Sequence, residues 1–205
     1  MIRFLPALIL LFCLQAPSEL FSQTDWSEGW LDGYELPKDE LPSFQEQVPK
    51  DKYCEGRLLL KSAIHGEAYE FKFRDKQGRY DQKVLQALYW FLRCRDGSWT
   101  QMDIRAIETL NYLSKLLGDP VIQINSGYRS PAYNKLLAMK SENVARNSLH
   151  QYGQAIDFSI PGIPIRTVCS YALYARNTMG YGGVGYYPNM GFVHLDSGNT
   201  RNWVR

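Results

Sequence analysis

Long apolar runs are almost absent from this sequence of 205 residues. The one candidate, Phe4 to Leu14, is far shorter than the roughly 20 residues that a membrane-spanning helix requires. Runs of Lys and Arg interleaved with aromatic residues are absent as well, and the formal net charge is only +2. The sequence therefore argues against a membrane span and against a nucleic-acid-binding protein.

The amino terminus has the composition of an export signal. Arg3 supplies a positive charge before the apolar run, whose length is that of a signal-peptide core. We expect residues 1–22 to be a signal peptide, residues 23–52 to be a linker or irregular arm, and residues 53–205 to form one folded domain. The protein would then be periplasmic or otherwise exported, through the general secretion route.

Cysteine is scarce, with four residues in the whole chain. Three of them, Cys54, Cys94 and Cys169, follow the expected signal peptide. An odd number permits at most one internal disulfide in an oxidising compartment. A bond between Cys54 and Cys94 and a set of buried free thiols are both compatible with the sequence.

Hydrophobic periodicity predicts an α+β fold with a small, mostly antiparallel sheet and helices packed on one side. Alternating apolar residues predict the strands and a 3.6-residue apolar period predicts the helices. The predicted strands are residues 58–61, 69–73, 121–125, 155–160, 183–187 and 192–196, and the predicted helices are residues 84–92, 104–117, a segment that begins at Ser130 and Pro131, and 165–176.

Two of the three histidines lie in unusually polar segments. His150 precedes Asp157 by seven residues, and Asp157 falls inside an apolar predicted strand, where a buried carboxylate needs a partner. Zinc would be such a partner, because catalytic zinc takes three imidazole or carboxylate ligands and keeps one position open. His194 is the candidate third ligand. The spacing alone leaves a purely structural role open.

Three further polar residues have candidate roles. Asp196 lies on the same face of its predicted strand as His194, so it is a candidate either to orient that imidazole or to act as general base. Arg129 ends a predicted strand just before a helix, where it would hold a substrate carboxylate or an oxyanion, or form a structural ion pair. His65, beside Gly66, is interpreted as a structural turn residue.

The segment Ser148-x-His150-x-x-Gly153-x-Ala155-x-Asp157 resembles the SxHxxGxAxD motif of the zinc D-alanyl-D-alanine carboxypeptidases, and residues 126–130 resemble their SGYRS segment. The wider match, over about residues 57–203, is closer to the murein endopeptidase K branch of these peptidases. It comprises HGE at 65–67, NSLH at 147–150, IDF at 156–158, PG at 161–162, GVGYYP at 183–188 and GFVHLDSG at 191–198.

This resemblance implies a hedgehog/D-Ala-D-Ala peptidase-like fold and a Zn²⁺ ion held by His150, Asp157 and His194. It also implies an enzyme that hydrolyses cross-linking peptides of peptidoglycan, so that peptidoglycan stem peptides are the expected partner; we expect a monomer. A D-alanyl-D-alanine carboxypeptidase, which trims a terminal residue, is one alternative. A catalytically weak zinc-containing module that binds wall peptides is the other.

One position departs from the pattern of the carboxypeptidases. They carry a Glu three residues before the last histidine ligand, whereas this chain has Gly191 there. The general base is therefore not assigned by the resemblance. Asp196 is our candidate for proton transfer, and Tyr186 or Tyr187 are candidate donors to a tetrahedral intermediate.

Overall fold

Residues 55–141 and 144–205 are described by the computed structural model of the protein. The predicted signal peptide, the whole predicted arm (residues 23–52) and Cys54 lie outside these ranges. The strands are β1 (Gly56–Ser62), β2 (Ala68–Arg74), β3 (Val121–Ser126), β4 (Ala155–Ser159), β5 (Gly183–Tyr187), β6 (Phe192–Asp196) and β7 (Arg201–Val204), and the helices are α1 (Gln82–Phe91), α2 (Ile104–Leu116), α3 (Pro131–Lys140) and α4 (Ile165–Met179). Short 3-10 turns cover Leu149–Tyr152 and Pro188–Met190.

The strands form one sheet in the order β2-β1-β3-β4-β6-β5-β7. Four of the six strand pairings are antiparallel, and β1–β3 and β5–β7 are parallel. The predicted α+β class and the mostly antiparallel sheet are thus confirmed. The sheet is mixed and, at seven strands, larger than predicted. Strand β7 was missed because its four residues are mostly exposed and lack an alternating apolar pattern.

One face of the sheet carries the hydrophobic core. Leu58, Leu60, Ile156 and Phe158 are buried on this face, and helices α1, α2 and α4 pack against it. Because side chains alternate along a strand, Asp157 points to the opposite face. The predicted one-sided packing describes these three helices well. Helix α3 differs, since only its Asn134 is buried and it borders a groove on the opposite face.

The start of α3 is fixed by local chemistry. Ser130 is the N-cap residue, and its hydroxyl oxygen accepts a hydrogen bond from the Tyr133 backbone N–H at 3.1 Å. Pro131 occupies the first helical position, where its missing N–H costs nothing. Arg129 is therefore held just before the helix, in the short segment that joins β3 to α3.

Cys94 and Cys169 are free, buried thiols. The Cys94 sulfur accepts a hydrogen bond from the Ser130 backbone N–H at 3.4 Å, which links the loop after α1 to the start of α3.

Within the described ranges, none of the helices has the length and apolar character that crossing a membrane requires.

A buried ion pair gives a prediction about stability. Glu108 of α2 is fully buried; Arg74 Nε donates to its Oε1 at 2.7 Å, and the Tyr80 hydroxyl donates to the same oxygen at 2.8 Å. Removing one partner of such a pair costs about 3–5 kcal/mol, because the remaining charge stays buried without compensation. Glu108→Ala is expected to lower the free energy of unfolding by that amount, measured by urea denaturation. Asp75→Asn, which changes an exposed pair with Arg79, is the control and should change it little. Equal losses in the two variants would contradict this prediction.

Candidate metal centre

Asp157 and His194 face each other across two antiparallel strands, since they are direct partners in the pairing of β4 with β6. His150 reaches the same place from the 3-10 turn Leu149–Tyr152, which precedes β4. Gly153 ends that turn with a φ of 66°, in the left-handed region that favours glycine. A Cβ at this position would lie 2.5 Å from the Gln101 carbonyl oxygen. The tight turn that returns His150 to Asp157 therefore requires glycine.

Three ligand atoms converge in this region. His194 Nδ1 lies 2.8 Å from Asp157 Oδ1, His150 Nε2 lies 3.1 Å from the same oxygen, and the two imidazole nitrogens are 3.2 Å apart. All three residues are buried. The structure thus brings together the three residues that the sequence analysis selected as ligands.

The second nitrogen of each imidazole has an acceptor of its own. His150 Nδ1 lies 2.7 Å from the Gly127 carbonyl oxygen, and His194 Nε2 lies 3.1 Å from Asp196 Oδ2. In a neutral ring the proton therefore sits on this outer nitrogen, and the inner nitrogen presents a lone pair. A Cβ on Gly127 would lie 2.4 Å from the Leu92 carbonyl oxygen, so a glycine is needed to place this acceptor.

These residues fit a zinc ion. Two lone pairs and a carboxylate oxygen at such short range repel one another unless a cation lies between them. Two nitrogens and one oxygen form a donor set that catalytic zinc takes. Ligand distances of about 2.0–2.1 Å in a tetrahedral site separate the ligand atoms by roughly 3.3 Å, close to the separations in this cluster.

The electrostatics of the cluster also favour a cation. Burial lowers the pKa of His150 to about 4, so this ring is neutral at physiological pH. Burial alone would lower the pKa of His194, but the carboxylates of Asp157 and Asp196 raise it above its ordinary value. Burial would likewise raise the pKa of Asp157, but His150, His194 and Arg129 hold it well below its usual range. The same negative charge that attracts a proton to His194 would attract a metal ion.

Asp196 is a fully buried carboxylate that accepts four hydrogen bonds. The backbone N–H groups of Gly183 and Gly198 donate to Oδ1, each at 2.9 Å. Arg201 Nη2 and His194 Nε2 approach Oδ2 at 2.6 Å and 3.1 Å. These contacts leave no oxygen of Asp196 directed at a substrate. Of the two roles that the sequence left open, the geometry favours orienting the His194 imidazole.

Arg129 is placed against the cluster. Its Nη2 contacts Asp157 Oδ2, the carboxylate oxygen that is turned away from the histidines, and its Nε donates to Ser126 Oγ at 2.8 Å. The side chain also lines the groove beside the cluster. Arg129 therefore forms an ion pair with Asp157, which is one of the roles predicted from the sequence. It also lies at the edge of the groove, where a substrate would bind.

The cluster opens into a groove of about 500 Å³. One wall consists of α3 and residues 144–149, and the other of the β5–β6 hairpin and β7. Tyr187 lines the groove, whereas Tyr186, the other candidate donor, packs against the core. His65 is not among the lining residues and lies in the turn between β1 and β2, as predicted.

Trp203 is a groove residue that the sequence analysis did not select as part of the site. Its ring centroid lies 5.2 Å from that of His194, and its Nε1 donates to the Tyr187 hydroxyl at 3.0 Å. A Cβ on Gly185 would lie 2.6 Å from the Trp203 ring. The glycine inside the predicted strand was the available signal, because such a residue often marks a close approach by another group.

Asp103 is a second residue that the sequence did not single out. It caps α2, and its backbone N–H donates to the Gly153 carbonyl oxygen at 2.8 Å. Its Oδ2 accepts from the Ser197 hydroxyl at 2.8 Å. Asp103 thus holds the segment after His150 through its backbone N–H and the segment after His194 through its carboxylate.

A buried cluster of two histidines and one carboxylate, with an imidazole oriented by a further carboxylate and a groove beside it, has the architecture of a metallopeptidase site. Residues 53–203 match the family model described as "Peptidoglycan L,D-endopeptidase MepK". The chain therefore belongs to this family of M15 peptidases.

Two relatives illustrate the similarity. The peptidoglycan L,D-endopeptidase MepK of Escherichia coli (strain K12) is 36% identical over 149 residues, which are 72% of this chain and 80% of that protein. A protein of Haemophilus influenzae, described as a probable peptidoglycan L,D-endopeptidase MepK, is 46% identical over 149 residues, which are 71% of this chain and 77% of that protein.

Proposed function

We propose that this protein is a zinc-dependent endopeptidase that hydrolyses cross-linking peptides of bacterial peptidoglycan, with a preference for L,D bonds. The observation that carries the proposal is the buried cluster of His150, Asp157 and His194, whose inner nitrogens present lone pairs beside a groove. The relatives of Escherichia coli and Haemophilus influenzae, named as a peptidoglycan L,D-endopeptidase and a probable one, support the substrate and the bond type.

His150, Asp157 and His194 would hold the ion. Bound zinc polarises a carbonyl group and makes water a stronger nucleophile near neutral pH. The carbonyl oxygen of Gly127 and the carboxylate of Asp196 each keep a proton on the outer nitrogen of one imidazole, so that both rings bind through the inner nitrogen. We assign Asp196 to this positioning role.

Arg129 and Tyr187 are the groups that we assign to the substrate. Arg129 fixes Asp157 through Nη2 and also lines the groove, where a guanidinium holds a substrate carboxylate or a developing oxyanion. The Tyr187 oxygen accepts a hydrogen bond from Trp203 Nε1, which leaves its own proton to be donated to an oxygen in the groove.

A wall-peptide binding module with weak catalysis is the second candidate, and one observation favours it. Asp157 is the only carboxylate residue among the described residues that line the groove, and Gly191 supplies no side chain where the carboxypeptidases carry a Glu. The endopeptidase would then have to move protons without a second carboxylate in the groove.

Digestion of purified sacculi separates these candidates. We expect the zinc-loaded protein to remove cross-linked muropeptide dimers, a chelator to stop this, and added zinc to restore it. Shortened monomers with intact dimers would identify a carboxypeptidase instead. Binding to sacculi without any new product, by a protein with stoichiometric zinc, would identify the binding module. His150→Ala is the matched inactive control.

We further propose that residues 1–22 direct export to the periplasm, that residues 23–52 form an arm, and that residues 53–205 form a monomeric catalytic domain with the hedgehog/D-Ala-D-Ala peptidase-like arrangement. The apolar run after Arg3 supports the export signal, and relatives that act on peptidoglycan agree with it. Amino-terminal sequencing of the protein from a periplasmic fraction would locate the cleavage site.

A further inference from the structure

The charged side chains that line the groove are nearly all basic. Among the described lining residues there is one carboxylate, Asp157, and there are four permanent cations: Arg95, Arg129, Lys140 and Arg201. Arg129 is neutralised by Asp157, and Arg201 by Asp196. The groove therefore has an excess of positive charge that comes from the other two cations.

Arg95 and Lys140 are exposed, and neither forms an ion pair with any described residue. Asp96 follows Arg95 directly but is not among the residues that line the groove, and its carboxylate accepts hydrogen bonds from the hydroxyls of Ser98 and Ser130. As far as the described residues go, both cations can therefore bind an anionic ligand in the groove.

Helix α3 sets the spacing of these two cations. Arg95 follows Cys94, whose sulfur is bonded to Ser130 at the start of α3, and Lys140 is the last residue of that helix. A helix of ten residues is about 15 Å long, which is the length of roughly four to five residues of extended peptide. The two cations therefore mark the two ends of a wall that a short peptide would cover.

The groove-facing stripe of α3 between these ends is apolar. Tyr133 and Leu137 line the groove together with Lys140, at positions i, i+4 and i+7 of the helix. The helix has a second set of apolar residues, Leu136 and Met139, on its exposed side. The wall thus offers aliphatic and aromatic contact in the middle and positive charge at each end.

We propose that this part of the groove wall, made of Arg95, Tyr133, Leu137 and Lys140, selects stem peptides that carry free carboxylates. The two cations bind those carboxylates, and the aliphatic part of the peptide lies on Tyr133 and Leu137. This inference rests on the proposed endopeptidase function and names the chemistry that its substrate must carry. Peptides in which those carboxylates are amidated are poorer substrates, because they lose the charge that Arg95 and Lys140 recognise.

The test uses two synthetic cross-linked peptides that differ only in whether their side carboxylates are free or amidated. The zinc-loaded full chain is expected to hydrolyse the free acid with a kcat/KM about 10-fold higher, mainly through KM. The double variant Arg95→Gln with Lys140→Gln should lose this preference while its zinc content stays unchanged. Lys135→Gln is the matched control, because Lys135 is an exposed cation on the same helix that does not line the groove.

Equal kcat/KM values for the two peptides with the unmodified chain would overturn the inference and leave the endopeptidase proposal intact. Retention of the preference by the double variant would also overturn it. If neither peptide is hydrolysed by the zinc-loaded chain, the endopeptidase proposal fails; calorimetric binding of the same two peptides then tests the wall by itself. Tighter binding of the free acid would support the inference, and equal binding would overturn it.

Discussion

Asp157→Ala is expected to abolish zinc binding and peptide hydrolysis together. Asp157 supplies the only charged ligand of the cluster, since both histidines would bind as neutral rings. The substitution also leaves the Arg129 guanidinium beside the site without its carboxylate, so a cation would be repelled where it is now attracted. We expect less than stoichiometric zinc and a loss of activity of at least about 1,000-fold.

Zinc content is measured by elemental analysis of the purified protein, and hydrolysis with a cross-linked muropeptide. Circular dichroism confirms that the variant is folded. Asp75→Ala is the matched control, because Asp75 also contacts an arginine but lies outside the groove, and it should keep both zinc and activity. If Asp157→Ala retained stoichiometric zinc, the ligand assignment would be wrong.

The sequence predicted most of the fold because its helices and several of its strands carry a regular apolar period. Strands such as β2 and β6 carry alternating apolar residues, and helices such as α1 and α2 carry apolar stripes, so periodicity was sufficient. Strand β7 lies at the edge of the sheet with little burial, so its residues are not constrained to alternate. Neither of the two parallel pairings joins strands that follow each other directly in the chain, and local patterns do not encode such pairings.

The three proposed ligands could be predicted from the sequence because the chain has only three histidines, and because Asp157 is a carboxylate inside an apolar predicted strand. That Asp157 lies directly opposite His194 is a matter of strand register, which no spacing in the sequence reveals. The hydrogen bond between His150 Nδ1 and the Gly127 carbonyl oxygen could not be predicted either, because its acceptor is a backbone group and side-chain patterns carry no information about it. Roles that depend on hydrogen-bond partners, such as that of Asp196, therefore stayed open until the partners were known.

Asp196→Asn is expected to reduce zinc affinity and activity together by about 100-fold. The backbone N–H groups of Gly183 and Gly198 would still need a hydrogen-bond acceptor, so the amide oxygen of Asn would take the Oδ1 position. The amide nitrogen would then face His194 Nε2, which now donates to Asp196. Two donors cannot bond to each other, so the ring would shift its proton to Nδ1, the nitrogen that points at the metal cluster.

The zinc affinity of Asp196→Asn distinguishes the positioning role from the role of general base. Competition with a chromophoric chelator measures that affinity, and kcat is measured at saturating zinc. A positioning residue changes both quantities, whereas a general base would reduce kcat and leave zinc affinity unchanged. Arg201→Gln is the matched control, since it removes another donor to the same Oδ2 but leaves the contact with His194, and it should cost less than about 10-fold. Full activity in Asp196→Asn would exclude both roles, because an amide in this place neither holds the His194 proton on Nε2 nor accepts a proton from water.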